Sequence, residues 1–109
     1  MLDKKYNEAI DNLLEGIKKD YAKWTSSGFG IDKFNGGLSV KPGRKFDKVM
    51  NGSSVWGFIA KSDGLLKGIP HKKGDVFKAA SWRAPAKWAR GSIFSSSKFY
   101  AWTGPNYLI

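Results

Sequence analysis

The feature that most constrains this chain is Asn51-Gly52, set between residues 44–50 and 53–61. An Asn-Gly pair between β-prone runs is the strongest short-range hairpin signal, because primed turns need positive φ and match the twist of paired strands. Two antiparallel strands are therefore expected. On the returning strand Val55, Gly57 and Ile59 should face one way and Trp56, Phe58 and Ala60 the other. Both faces carry apolar groups, so one is expected to meet the core and the other to serve as a binding platform. Ser62-Asp63-Gly64 then turns the chain, residues 70–74 form a cationic loop, and residues 75–79 make a third strand.

A sheet this small needs a cover for its apolar face, and residues 3–24 provide one. Tyr6, Ile10, Leu13, Leu14, Ile17, Tyr21 and Trp24 recur at spacings of three and four, which places them on one stripe of a helix. Asp3 can cap its start and Thr25-Ser26-Ser27-Gly28 can stop it. The glycine-rich passage 28–37 contains no phosphate-loop pattern and reads as an irregular connection. After Ser81 the alternation fades. Pro85 is positioned to open a short helical turn that Gly91 ends, and residues 99–102 suggest a short fourth strand. The expected fold is α+β: an N-terminal amphipathic helix packed on a small twisted antiparallel sheet, a three-strand meander, with an irregular C-terminal segment. At 109 residues the chain suits a single domain, 1–109.

Several function classes are disfavoured. The chain has no cysteine, so disulfides, thiolate nucleophiles and cysteine-rich zinc sites are excluded. The one histidine, His71, lies in Pro70-His71-Lys72-Lys73-Gly74 and reads as a plain surface-loop residue rather than a metal ligand. Asp63 and Asp75 sit where turns use carboxylates, and Asp47 is expected to pair with a neighbouring lysine. No catalytic residues, metal site or cofactor are expected. No long apolar run marks a signal peptide or a membrane span, which points to an intracellular protein.

Charge points instead to binding. The net charge is +10; residues 1–60 carry ten Lys/Arg against seven Asp/Glu, and residues 61–109 carry nine against two. A field of one sign on part of a small domain draws polyanions to it. Within that half, Lys78, Trp82, Arg83, Lys87, Trp88 and Arg90 interleave cations with indoles, the pairing by which single-strand binders hold phosphates and stack on bases. Lys67, Lys72 and Lys73 extend the basic track, and Lys41, Arg44, Lys45 and Lys48 can add to it from the hairpin. The alternative is that Trp82 and Trp88 are core residues and the cations a solvated rim.

The segments Gly43-Arg44-Lys45-Phe46, Ser54-Val55-Trp56-Gly57-Phe58-Ile59 and Gly74-Asp75-Val76-Phe77-Lys78-Ala79-Ala80-Ser81-Trp82, with Trp102-Thr103-Gly104-Pro105, resemble a family of short proteins of unassigned function encoded by tailed bacteriophages. The resemblance runs over roughly residues 38–109 and does not cover the helix. It implies an infected bacterium as the setting, with the host cytoplasm or the virion as the location. It carries no activity. At the position of Trp56 the relatives often have histidine, which implies a surface or semi-buried ring there. The expected function is a small basic phage accessory protein that binds nucleic acid, DNA or RNA, without catalysis. The alternatives are a phage protein gripping an acidic surface of a host protein and a minor virion component.

Overall fold

The computed structural model describes residues 4–25, 36–66, 68–82, 84–94, 100–101 and 104–105, with side chains for all of these except 24, 87, 88, 100, 101 and 105. Helix α1 runs over Lys4–Trp24. Its stripe forms as the spacing requires: Tyr6, Ile10, Leu13 and Ile17 are buried, and Leu14 and Tyr21 flank them. At the helix end the Thr25 amide donates to the Tyr21 carbonyl at 3.0 Å. Asp3 lies outside the described residues.

Among the described residues nine strands follow: β1 Leu38–Lys41, β2 Phe46–Asn51, β3 Ser54–Ala60, β4 Gly64–Leu66, β5 Ile69–His71, β6 Asp75–Ala79, β7 Pro85–Ser92, β8 Tyr100–Ala101 and β9 Gly104–Pro105. The main sheet has the order β1-β2-β3-β6-β7, with every pairing antiparallel. The expected meander is its centre, β2-β3-β6, and β1 and β7 add an edge strand on each side. β4 and β5 form a separate two-stranded ribbon inserted between β3 and β6, so part of the expected cationic loop is strand. β8 and β9 pair with each other, which places a strand within the expected 99–102 segment.

The hairpin turns one residue later than the Asn-Gly pair alone suggests. Asn51 pairs with Ser54, leaving Gly52-Ser53 as the loop, with Gly52 at φ 61°. That is the left-handed region a primed turn demands at its first central position.

Two corrections come from β-bulges, where two residues on one strand face a single partner. Val49 pairs with Gly57 and Met50 with Val55, so Trp56 is an extra residue and the alternation slips there. Trp56 consequently joins the helix-facing cluster with Val49, Ile59 and Val76, while Val55 packs on the opposite face. Trp56 is only 4% exposed, a core ring rather than a semi-buried one. On the far edge, residues 85–92 form a strand and not a helical turn. Pro85 opens it, which the first position of an edge strand allows because no ladder donor is needed there.

The sheet thus has two apolar faces. Helix α1 covers the first, where Ile17, Val49, Ile59 and Val76 are fully buried, each worth about 1.5–3 kcal/mol of transfer free energy. The second holds Phe58, Ala60 and Phe77, with Phe46, Leu66, Ala79 and Ala89 packed around them. The β4–β5 ribbon supplies Leu66 and the His71 ring to that face, the latter 5.4 Å from Phe46 and 5.8 Å from Phe77 between ring centres. One buried charge ties helix to sheet. The Tyr6 hydroxyl donates to Asp47 Oδ2 at 2.8 Å, and Lys61 Nζ stands 3.8 Å from Asp47 Oδ1.

Candidate functional site

Strand register assembles the site on the second face. Lys41 pairs with Lys48, Lys48 with Phe58, and Phe58 with Phe77, so these four side chains form a row across β1, β2, β3 and β6. Directly paired residues share a face. Beyond the ribbon this row opens into a groove of about 450 Å³ lined by Lys41, Pro42, Gly43, Arg44, Lys45, Phe46, Lys48, Phe58 and Pro85. The volume falls in the range of small-ligand clefts. Among the described residues its lining carries four cations and no carboxylate. Asp47 belongs to the same strand, but its carboxylate turns to the helix side to accept from Tyr6.

The β1–β2 loop that forms the rim is held in place. Lys61 donates from Nζ to the Gly43 carbonyl and from its backbone amide to the Lys45 carbonyl, each at 3.0 Å. Position 43 must be glycine for this path, because a Cβ there would overlap the Phe46 carbonyl oxygen.

At the other end stands Trp82. The β6–β7 connection is tight, with the amides of Ala80 and Ser81 both donating to the Ala84 carbonyl, and Trp82 lies on it. The indole is 48% exposed. Lys48 Nζ sits 4.4 Å from its ring centre and 5.9 Å from that of Phe58, within cation–π range of both.

A smaller cleft of about 130 Å³ adjoins the groove and shares Lys45 with it; Ser62, Asp63, Gly64, Leu65 and His71 complete its lining. The Lys73 amide donates to Asp63 Oδ1 at 2.8 Å. His71, expected as a plain loop residue, is half-buried on β5, and its Nδ1 is buried with no hydrogen-bond partner among the described residues.

Of the residues singled out from sequence, those whose side chains are described do not form one patch. Trp82 joins the groove through Lys48. Lys73 lies on the helix side, its Nζ 5.6 Å from the Tyr6 ring. Lys78 alternates with Phe77 and Ala79 and so projects from the opposite face. Arg90 is the extra residue of a bulge in β7, and its Nε is buried. Lys72 is exposed, its amide donating to Asp75 Oδ2 at 2.9 Å. Arg83 lies outside the described residues, and Lys87 and Trp88 are described in backbone only. The cations brought together are the hairpin set Lys41, Arg44, Lys45 and Lys48. Phe46 and Phe58, the groove's aromatic floor, had one legible signal: Phe46 and Lys48 share a face of β2.

Among the described residues no three His, Asp or Glu side chains converge on a point where a metal ion would be held. Nor is any described helix long and apolar enough to cross a membrane. What the arrangement offers chemically is anion pairing beside aromatic surface.

Helix, sheet and groove together define a small α+β domain with a cationic, aromatic-floored cleft on the face its helix leaves open. The chain belongs to the family of unknown function DUF7717, whose model matches residues 2–104 and so takes in the helix. No curated protein and no solved structure matches the chain.

Proposed function

We propose that this protein binds nucleic acid, without catalysis, by drawing the phosphate backbone into the groove lined by Lys41, Arg44, Lys45 and Lys48. The observation that carries this reading is the lining itself: among the described residues, four cations, no carboxylate, and aromatic rings within the same cleft. Cations track phosphates while ring faces accept bases, and exposed Trp82 beside Lys48 offers such a face. The setting implied by the resemblance to tailed-phage proteins is an infected bacterium, where the protein acts as an accessory factor in the host cytoplasm. Lys72 is a peripheral addition to this surface, not its centre.

The test is an anisotropy titration of labelled oligonucleotides across a salt series. Micromolar or tighter binding is expected, and neutralising about four phosphates should give a log–log salt slope near −3 to −4. Replacing Arg44, Lys45 and Lys48 together by Ala should flatten that slope. Absence of binding at low salt would remove the proposal and favour the rival, an acidic protein surface as the groove's partner.

A further inference from the structure

We infer that the small cleft beside the groove is a guanine-reading subsite, so that the strand bound in the groove is single. This deepens the nucleic-acid reading and rests on it. The two cavities share Lys45, so a phosphate held there has the cleft within reach of its attached nucleoside. Among the described residues of both linings the only carboxylate is Asp63. In a track otherwise cationic, that charge repels phosphate from the cleft and selects a neutral group rich in donors. At about 130 Å³ the cleft has room for one planar ring system and none for a base pair.

Asp63 is held for this role by the Lys73 amide, which occupies one lone pair on Oδ1, while Oδ2 accepts from no described residue. Guanine alone among the common bases presents two adjacent donors, N1–H and the 2-amino group, on its pairing edge. A carboxylate fits that pair of donors and meets acceptor lone pairs on the same edge of the other bases. The neighbouring O6 accepts from a hydroxyl such as that of Ser62. Gly64 adds no side chain to this lining, and a Cβ there would stand in ordinary contact with the His71 ring, 3.4 Å from Nε2. A pairing edge is free only where the base is unpaired, which is the sense in which the cleft requires a single strand.

The experiment compares four labelled ligands on the intact chain: an oligothymidine octamer, the same octamer with one central deoxyguanosine, one with deoxyinosine there, and the guanosine octamer annealed to its complement. The guanosine octamer should bind about tenfold tighter than oligothymidine. The inosine octamer, lacking the 2-amino group, should fall between them, and the duplex should lose the preference. Asp63→Asn should abolish the guanosine advantage while oligothymidine binds at least as well. Equal affinity for guanosine and thymidine octamers would overturn the subsite and leave the groove standing, as would an advantage that survives Asp63→Asn. Failure of every oligonucleotide to bind would bring down both. If Asp63→Asn does not fold, the inosine octamer decides: binding equal to guanosine overturns the carboxylate contact.

Discussion

The Lys48 ammonium stands 4.4 Å from the centre of the Trp82 ring, which puts a groove cation against one indole face. Because the indole is 48% exposed, stacking area remains for a ligand. Trp82→Ala should weaken oligonucleotide binding by about 1–3 kcal/mol, the worth of one stacked base. Its effect on folding should stay within about 1 kcal/mol, the size of an exposed cation–π contact. An unchanged titration with an unchanged melt would take Trp82 out of the interface.

Trp56 should behave in the opposite way. At 4% exposure within the helix-facing core, its replacement by Ala should cost about 3–5 kcal/mol of stability, measured by guanidinium unfolding. Affinity of the still-folded fraction should be unaltered. A loss below about 1 kcal/mol would contradict its placement by the bulge.

Gly43→Ala tests the groove rim. The added methyl meets the Phe46 carbonyl oxygen, a backbone atom that cannot swing aside, so the loop must shift. Overpacking of this kind costs about 1–3 kcal/mol. A lowered midpoint with weakened oligonucleotide binding is expected, and wild-type values for both would show that the rim relaxes freely.

Alkaline stability reports on Tyr6. Burial, then the hydrogen bond to Asp47 and its negative charge, raise the phenol well above its ordinary value of 10.0. The unfolded chain therefore gives up this proton first. The stabilisation is whole below pH 10 and declines as pH climbs towards the folded value, by at most about 1.4 kcal/mol per unit before solvent screening. Tyr6→Phe should be less stable at neutral pH and should show a shallower decline above pH 10 in chemical denaturation. Parallel declines would mean that lysine deprotonation alone sets the alkaline limit.

The helix and the strands β2, β3 and β6 were legible because one period governs each: Tyr6, Ile10, Leu13 and Ile17 for the helix, Asp47 and Val49 against Phe46 and Lys48 for β2. β7 was not. Its pairing with β6 slips twice, between Val76 and Phe77 and again before Ala79, and each slip removes the alternation by which a strand is read. Alternation alone puts Trp56 on the wrong face for the same reason, since a bulge is a property of two paired strands and leaves no mark on either alone. The groove was half legible. Its four cations stand together in sequence, but that Lys48 faces Phe58 and Trp82 follows from register and from the turn at Ala84, which composition does not encode. The setting of His71 is hidden in the sequence because its neighbours are cationic and the two phenylalanines beside its ring lie 25 and 6 residues away.

Strand β2 divides its labour by parity. Asp47 and Val49 look towards the helix, Phe46 and Lys48 into the groove. Saturation mutagenesis of these four positions, scored once for folding and once for ligand retention, should therefore put Asp47 and Val49 in the folding set, Lys48 in the ligand set, and Phe46, packed on Phe77, in both. A lineage of such proteins is then free to change what the groove holds at Lys48 and the rim cations while the helix-side residues and the aromatic floor stay as they are.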